Sequence, residues 1–457
     1  MDNEDVLFPC IYGIMVIMKC NFSMCFHIFL FICGFTLILT GLGYLVRDDS
    51  NMNARIMARQ LHRARIDTLF LGASHIYRAI NPAIIDERLQ CNSFVAGTAS
   101  QELDASYALL RETCGRNRLR KVFVDLDYWQ SIKKEHAERN NFKSIYIVSD
   151  YLQNPVIKCR YLMHATAPEY WFNSFSPFGA YKDISFHPAK IKANIELKLR
   201  EKYSDYDKVV NEDGDHMIKG YIPHCGVADV IVSKGVSKFK PEKITADWKQ
   251  SVADIVSYCR AHDIEVSFFS VPITDCKLVD MGNYDEYIDF VTTFLSQYGC
   301  SYYDFNLARS EYLCLDDTDF YNDDHINKYG AEKFSKCFAG FIAADADESI
   351  FHASYAEKIK TQPERIYGYV MRDIKDGSAC RIKPVSGKIK QKRILYDVSC
   401  KPDGGEWYCI AVETAEREIT YPVGMKGVLK ICVRLDGIEC ATLTKEFNTL
   451  SVVTEKN

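Results

Sequence analysis

Ile66-Asp67-Thr68-Leu69-Phe70-Leu71-Gly72-Ala73-Ser74-His75 is the stretch on which the fold turns. A short apolar run bounded by small residues reads as a buried strand. Its small-residue end presents a serine where that strand would stop. Further β runs follow at Ser93 to Ala96, Lys121 to Leu126, Ile264 to Val271 and Ser301 to Phe305. Helical stretches separate them. Val252, Ile255, Val256 and Cys259 recur at i, i+3, i+4 and i+7, and another helix is expected over Tyr284 to Leu295. Such alternation defines an α/β class with a parallel sheet and helices on both faces. In open sheets of this kind ligands bind beyond the carboxyl ends of the strands. Ser74 follows the first strand, Gly97 the second and His325 the fifth, so all three are expected on one edge.

The 457 residues are 47% hydrophobic and 26% charged, ordinary globular material for two or three domains, and a net charge of −5 gives no signal for nucleic acid. No Asp, Glu, Lys or Arg lies between Cys20 and Val46. That length spans a bilayer and exceeds the apolar core of about 7–15 residues in a signal peptide. A retained transmembrane anchor is therefore expected over 22–46, after a lead of 1–21 in which Met18-Lys19 would open a conventional anchor. Arg47, Arg55, Arg59, Arg63 and Arg65 follow it and only Lys19 precedes it, so a literal positive-inside count places the next domain in the cytoplasm. Long domains are exported against such a bias, and the chemistry argued below belongs outside, so a single-pass cell-membrane protein with an extracytoplasmic domain is expected.

The α/β domain is expected over 47–345, interrupted at 129–245 by an insertion rich in aromatics, among them Tyr151, Tyr161, Tyr170, Trp171, Phe172, Phe175, Phe178 and Tyr181. The insertion reads as a mini-core of its own or a lid with rings to stack on sugars. Beyond it, 355–457 reads as an all-β sandwich of immunoglobulin-like size. Its β runs are Arg393 to Ser399, Glu406 to Val412 and Val428 to Leu435, with Asp436-Gly437 as a hairpin turn before Ile438 to Leu443. The basic loop Lys388, Lys390, Lys392 and Arg393 reads first as a solvated turn and second as a contact for an anionic polymer. Eighteen cysteines are scattered without a C-x-x-C, and many sit in apolar runs as small hydrophobes. Asp213-Gly214-Asp215-His216 lacks the spacing and terminal Glu of a calcium loop. No metal or cofactor is expected.

A serine at a strand tip with a distant histidine as general base is the pairing of a serine hydrolase or acyltransferase. Leu71-Gly72-Ala73-Ser74-His75, Phe94-Val95-Ala96-Gly97 and Asp324-His325-Ile326-Asn327-x-x-Gly330 together resemble the SGNH/GDSL hydrolase superfamily over roughly residues 64–345. The anchor and the Asp-His-Ile-Asn ending look like its membrane-anchored branch, which includes the teichoic-acid D-alanylation protein and alginate O-acetyltransferase components. The resemblance implies Ser74 as nucleophile, His325 as general base, and backbone N–H groups of Ser74 and Gly97 as oxyanion donors. Gly97 would be glycine so that its backbone can approach the substrate.

Two departures from the family stand out. The orienting aspartate three residues before the histidine is Asn322 here, leaving Asn322, Asp323 and Asp324 as contenders, Asp324 foremost. The third strand ends in Asp125-Leu126-Asp127 without the family's asparagine, so Gln101 or Thr98 is considered as a further donor. His75 would point away from Ser74 if strand geometry persisted, which makes it structural. The expected activity is an SGNH-like O-acyltransferase or esterase working on O-acyl groups of a cell-envelope polysaccharide, with a membrane acyl-transfer partner. The alternatives are a non-catalytic glycan-binding or assembly protein, to which Asn322 lends weight, and a cytoplasmic-face lipid esterase.

Overall fold

A computed structural model of the chain describes residues 7–47, 52–128, 142–179, 182, 184–199, 217–375, 377–386, 389 and 394–450. Asp213-Gly214-Asp215-His216, Tyr181 and the basic loop Lys388, Lys390, Lys392 and Arg393 lie outside the described residues. Two compact units emerge: Met1–Met52 with Thr166–Ser204, and Asn53–Ala165 with Asp205–Asn457.

The larger unit is organised by five parallel strands: β1 (Thr68–Gly72), β2 (Ser93–Gly97), β3 (Lys121–Asp125), β5 (Glu265–Ser270) and β6 (Tyr302–Asp304), in the order β2-β1-β3-β5-β6. All five expected runs became strands, each within about two residues of its expected bounds. Alternation along each strand divides the core. On one face Leu69, Leu71, Val122, Val124 and Phe268 pack with the buried stripe Val252, Ile255, Val256 and Cys259 of the helix Ala246–Ala261. On the other, Phe70, Phe123 and Phe269 surround Phe338 of the helix Lys328–Ala343, with ring centroids 5.6, 5.2 and 5.1 Å from it. Buried aromatic pairs at such spacing add about 0.5–1.5 kcal/mol each beyond their area.

The C-terminal region folds as two four-stranded sheets, β10-β9-β12-β13 and β11-β8-β7-β4. The first comprises β9 (Ile394–Pro402), β10 (Tyr408–Thr414), β12 (Lys426–Leu435) and β13 (Ile438–Asn448). Asp436 and Gly437 both have positive φ, 52° and 82°, as a two-residue hairpin requires. The second sheet is built from strands outside the expected β runs. It holds β7 (Gly368–Ile374), β8 (Ala379–Val385), β11 (Glu418–Thr420) and, paired in parallel with β7, β4 (Val232–Ser233), which comes from the insertion. Side chains from both sheets, including Tyr369, Ile382, Tyr396, Val398, Ile431 and Leu443, share one apolar core. Tyr367, Val370 and Val385 instead join the core of the parallel-sheet domain. The region is thus joined to its neighbour by a borrowed strand and by buried side chains.

The insertion divides three ways. Phe142, Ile145, Tyr146, Tyr161 and Leu162 enter the main core. Thr166–Ser204 belongs to the unit of the N-terminal helix. Residues 217–245 start alongside β2, where the Lys219 carbonyl accepts the Val95 N–H, and supply β4. The N-terminal helix α1 spans Leu7–Val46, and its Ser23–Val46 portion is long and apolar enough to cross a membrane. The next helix, α2 (Met52–Arg63), buries Ala54, Arg55, Ile56, Met57, Ala58 and Leu61 in the larger unit.

Candidate functional site

Strand β1 ends at Gly72, and Ser74 is the first residue of a short helix, α3 (Ser74–Ala79). Gly72 is register-paired with Gly97, the last residue of β2. A Cβ on Gly97 would stand 3.2 Å from the carbonyl oxygens of both Gly72 and Ala73 and 3.0 Å from Ile76 Cγ2. Gly97 is therefore glycine because the turn that presents Ser74 packs directly against it, a reason distinct from access for a substrate.

The histidine is carried on a loop held at both ends. Phe320 and Ile326 form an antiparallel bridge, and Tyr321 N–H donates to the His325 carbonyl at 3.1 Å. Asn327 is fully buried and caps the helix Lys328–Ala343 by accepting from the Tyr329 and Gly330 N–H groups, while its amide donates to the Gly226 and Thr318 carbonyls. A Cβ on Gly330 would stand 2.5 Å from the Asp319 carbonyl. The Asp-His-Ile-Asn-x-x-Gly pattern is thus a mount for the histidine: cap, buried Ile326 and close approach together fix the loop.

On that mount His325 Nε2 meets Ser74 Oγ at 2.7 Å, across 251 residues of sequence. Behind the ring, His325 Nδ1 is 2.5 Å from Asp324 Oδ1 and 3.1 Å from Asn322 Oδ1. Asn322 also accepts the backbone N–H groups of Asp324 (3.0 Å) and His325 (2.8 Å), so its side chain shapes the turn as well as facing the ring. Asp323 turns elsewhere, 3.4 Å from Lys277 Nζ. Ser74, His325, Asp324, Asn322 and Gly97 are therefore brought together. Gln101 and Thr98 are not available as further donors: the Gln101 amide donates to the Ala96 carbonyl and Ser106, and the Thr98 hydroxyl to Gln101 Oε1.

His75 departs from expectation. Because the strand stops at Gly72, Ser74 and His75 follow helical geometry, and the His75 ring stacks on His325 with centroids 4.7 Å apart and planes at 21°. His75 Nδ1 bonds Asp127 Oδ2 at 3.1 Å, and His75 Nε2 is 4.0 Å from Asp324 Oδ2. Lys277, another buried residue that sequence reasoning missed, lies 2.7 Å from Asp324 Oδ2. Tyr321 stacks on the His325 ring at 5.3 Å, and Arg78 lies over Tyr321. The juxtaposition Ser74-His75 was the available signal for the second histidine. Nothing local marks Lys277.

These contacts set the charges. Burial alone would raise the Asp324 carboxyl, but the His325 hydrogen bond and the His325, His75 and Lys277 charges outweigh it and hold the acid well below the usual carboxylate range. Burial pushes His325 below its ordinary 6.5, Asp324 pulls it back up, and the neighbouring His75 pushes it down further. Burial would lower His75 too, yet the hydrogen bond and charge of Asp127, with Asp324 and Asp125, raise it to about 9. Asp125, fully buried, is pushed up to about 8 by burial and by the charge of Asp127. At neutral pH this leaves a neutral His325 between an ionised Asp324 and a cationic His75.

Among the described residues, two groups gather ligand-type atoms within 4.8 Å of one another: His75, Asp324 and His325, and His75, Asp125 and Asp127. In both, acids and imidazoles already meet as ion pairs, and a cation taken by His325 Nε2 would occupy the atom that faces Ser74. Compared with protein-family profiles and with curated proteins, the chain matches none.

Proposed function

We propose that the chain is a membrane-anchored, SGNH-like serine acyltransferase or esterase acting on O-acyl groups of a cell-envelope polysaccharide. The carrying observation is the 2.7 Å contact of Ser74 Oγ with His325 Nε2, backed by Asp324 on the opposite ring nitrogen. In this reading Ser74 Oγ attacks the acyl carbonyl while His325 Nε2 takes its proton, and the C–O bond to the leaving alcohol breaks as His325 returns that proton. The acyl group then sits on Ser74. An acceptor hydroxyl or water, deprotonated by His325, attacks the ester and releases the serine, whose oxygen recovers the proton. Backbone N–H groups of Ser74 and Gly97 would serve the oxyanion, a donor type worth about 2.7–4 kcal/mol.

Asp324 meets the main objection to catalysis, that an amide at Asn322 cannot neutralise an imidazolium, so the binding-protein reading loses its chief support. The same reading takes the parallel-sheet domain as SGNH-like and the C-terminal sheets as an immunoglobulin-like module. It also takes α1 as a retained span with the domain outside and a membrane partner delivering the acyl group. Arg55, counted for the opposite orientation, is buried within a folded helix rather than placed in a short loop, where the positive-inside rule applies. A fluorophosphonate probe on the full chain tests the chemistry. Labelling of wild type that vanishes in Ser74→Ala is expected, and equal labelling of the variant would remove Ser74 from the mechanism.

A further inference from the structure

The segment Thr166–Ser204 and the N-terminal helix form one compact unit. The seam between them is specific. Ser185 N–H donates to the Val46 carbonyl at 2.8 Å, Arg47 bridges Ile184, and a Cβ on Gly43 would stand 2.4 Å from Pro177 Cβ. The helix Pro188–Leu199 also packs on α1. All three seam contacts fall at residues 43–47, the end of the apolar stretch Ser23–Val46, where a spanning helix would leave the hydrocarbon.

The same segment turns large rings outward. Phe172 is 89% exposed and Phe186 65%, with Phe175 and Tyr170 exposed beside them. Phe178 stacks on Phe186 at 6.2 Å, and the Trp171 indole N–H donates to the Thr166 carbonyl, so the polar edge of that ring is satisfied within the segment. Each exposed phenylalanine forgoes stabilisation that burial of its ring would give. Clustered exposure of this kind marks a surface that meets an apolar partner. The same compact unit holds the stretch Ser23–Val46, apolar enough to cross a membrane and uncovered over most of its length before the seam, so one solvent suits both. Aromatic rings concentrate at the level of lipid headgroups.

We propose that Thr166–Ser204 is a second membrane contact, an aromatic foot that sets Phe172, Phe175 and Phe186 into the bilayer interface around the exit of α1. The inference rests on α1 being a retained span. It gives the aromatics of this segment a lipid partner rather than a sugar.

The test uses the full chain in vesicles of phosphatidylcholine and phosphatidylglycerol, comparing Phe172→Trp and Phe186→Trp with wild type and with Val412→Trp, an exposed site on the C-terminal sheets. Emission added by the first two variants should be blue-shifted and lose roughly half its intensity to lipids brominated near the headgroup, while Val412→Trp responds to aqueous iodide. Water-like emission at Phe172→Trp and Phe186→Trp, quenched by iodide as at Val412→Trp, in a chain that resists carbonate extraction would overturn the foot and leave the anchor standing. Release of the whole chain by carbonate would overturn the anchor, and the foot with it.

Discussion

Replacing Asp324 by Asn removes one negative charge from behind His325 and changes little else in shape. At 2.5 Å and an effective dielectric of about 20, a carboxylate and an imidazolium attract by roughly 6–7 kcal/mol as an upper bound. Two features of the site reduce the net loss. Lys277, 2.7 Å from the other Asp324 oxygen, already draws on that charge, and Asn322 Oδ1 remains 3.1 Å from Nδ1 to hold the tautomer. We expect Asp324→Asn to lose about 3–4 kcal/mol of transition-state stabilisation, roughly 10²–10³ in rate. That is less than the ~10⁴ seen when a serine-protease triad aspartate becomes Asn. The assay is the rate of fluorophosphonate labelling and of p-nitrophenyl ester turnover by the full chain in detergent, with thermal unfolding confirming an intact fold. Asp323→Asn, whose carboxylate faces Lys277 instead, should change the rate by less than about threefold. Equal losses in the two variants, or an Asp324→Asn rate within about threefold of wild type, would refute the assignment of Asp324 as the acid of the base.

Four further outcomes follow from the structure. A general base works unprotonated, and burial lowers the His325 pKa, so turnover should persist as pH falls through 6.5 and drop only below it; a midpoint above 6.5 would contradict the charge arrangement. His75→Gln removes the stacked cation that helps keep His325 neutral, so the pH–rate midpoint should rise, an effect that loss of packing alone would not produce. Asn322→Asp should likewise move the midpoint upward, with little gain in rate at neutral pH, because an acid already faces Nδ1. Ending the chain near Glu348 discards Tyr367, Val370 and Val385 from the core of the parallel-sheet domain. At about 1.5–3 kcal/mol each this approaches the whole stability of a typical domain, so the truncated protein should aggregate; a soluble, probe-reactive product would show that the sheets contribute little to that core.

Much of the framework was legible along the chain, because strand burial and parallel topology leave local marks. Apolar runs of strand length located β1, β2, β3, β5 and β6, and alternation with helices put their carboxyl ends, and so Ser74, Gly97 and His325, on one edge. The stripe Val252, Ile255, Val256 and Cys259 declared its helix because helical burial repeats with the helical period. Strands β7 and β8 escaped notice, as did β4, which is two residues long and is a strand only because β7 lies beside it. That Asn322 and Asp324 face His325 while Asp323 does not, that His75 stacks on it, and that a buried Lys277 holds the acid are likewise matters of tertiary structure. Periodicity records which face of an element is buried. The partner of a polar side chain, by contrast, is set within a few tenths of an ångström by elements dozens to hundreds of residues away. The fate of the aromatic insertion has the same origin: composition marked Phe172 and Tyr161 alike, and only the path of the chain put Tyr161 in the core and left Phe172 exposed in the unit of the N-terminal helix.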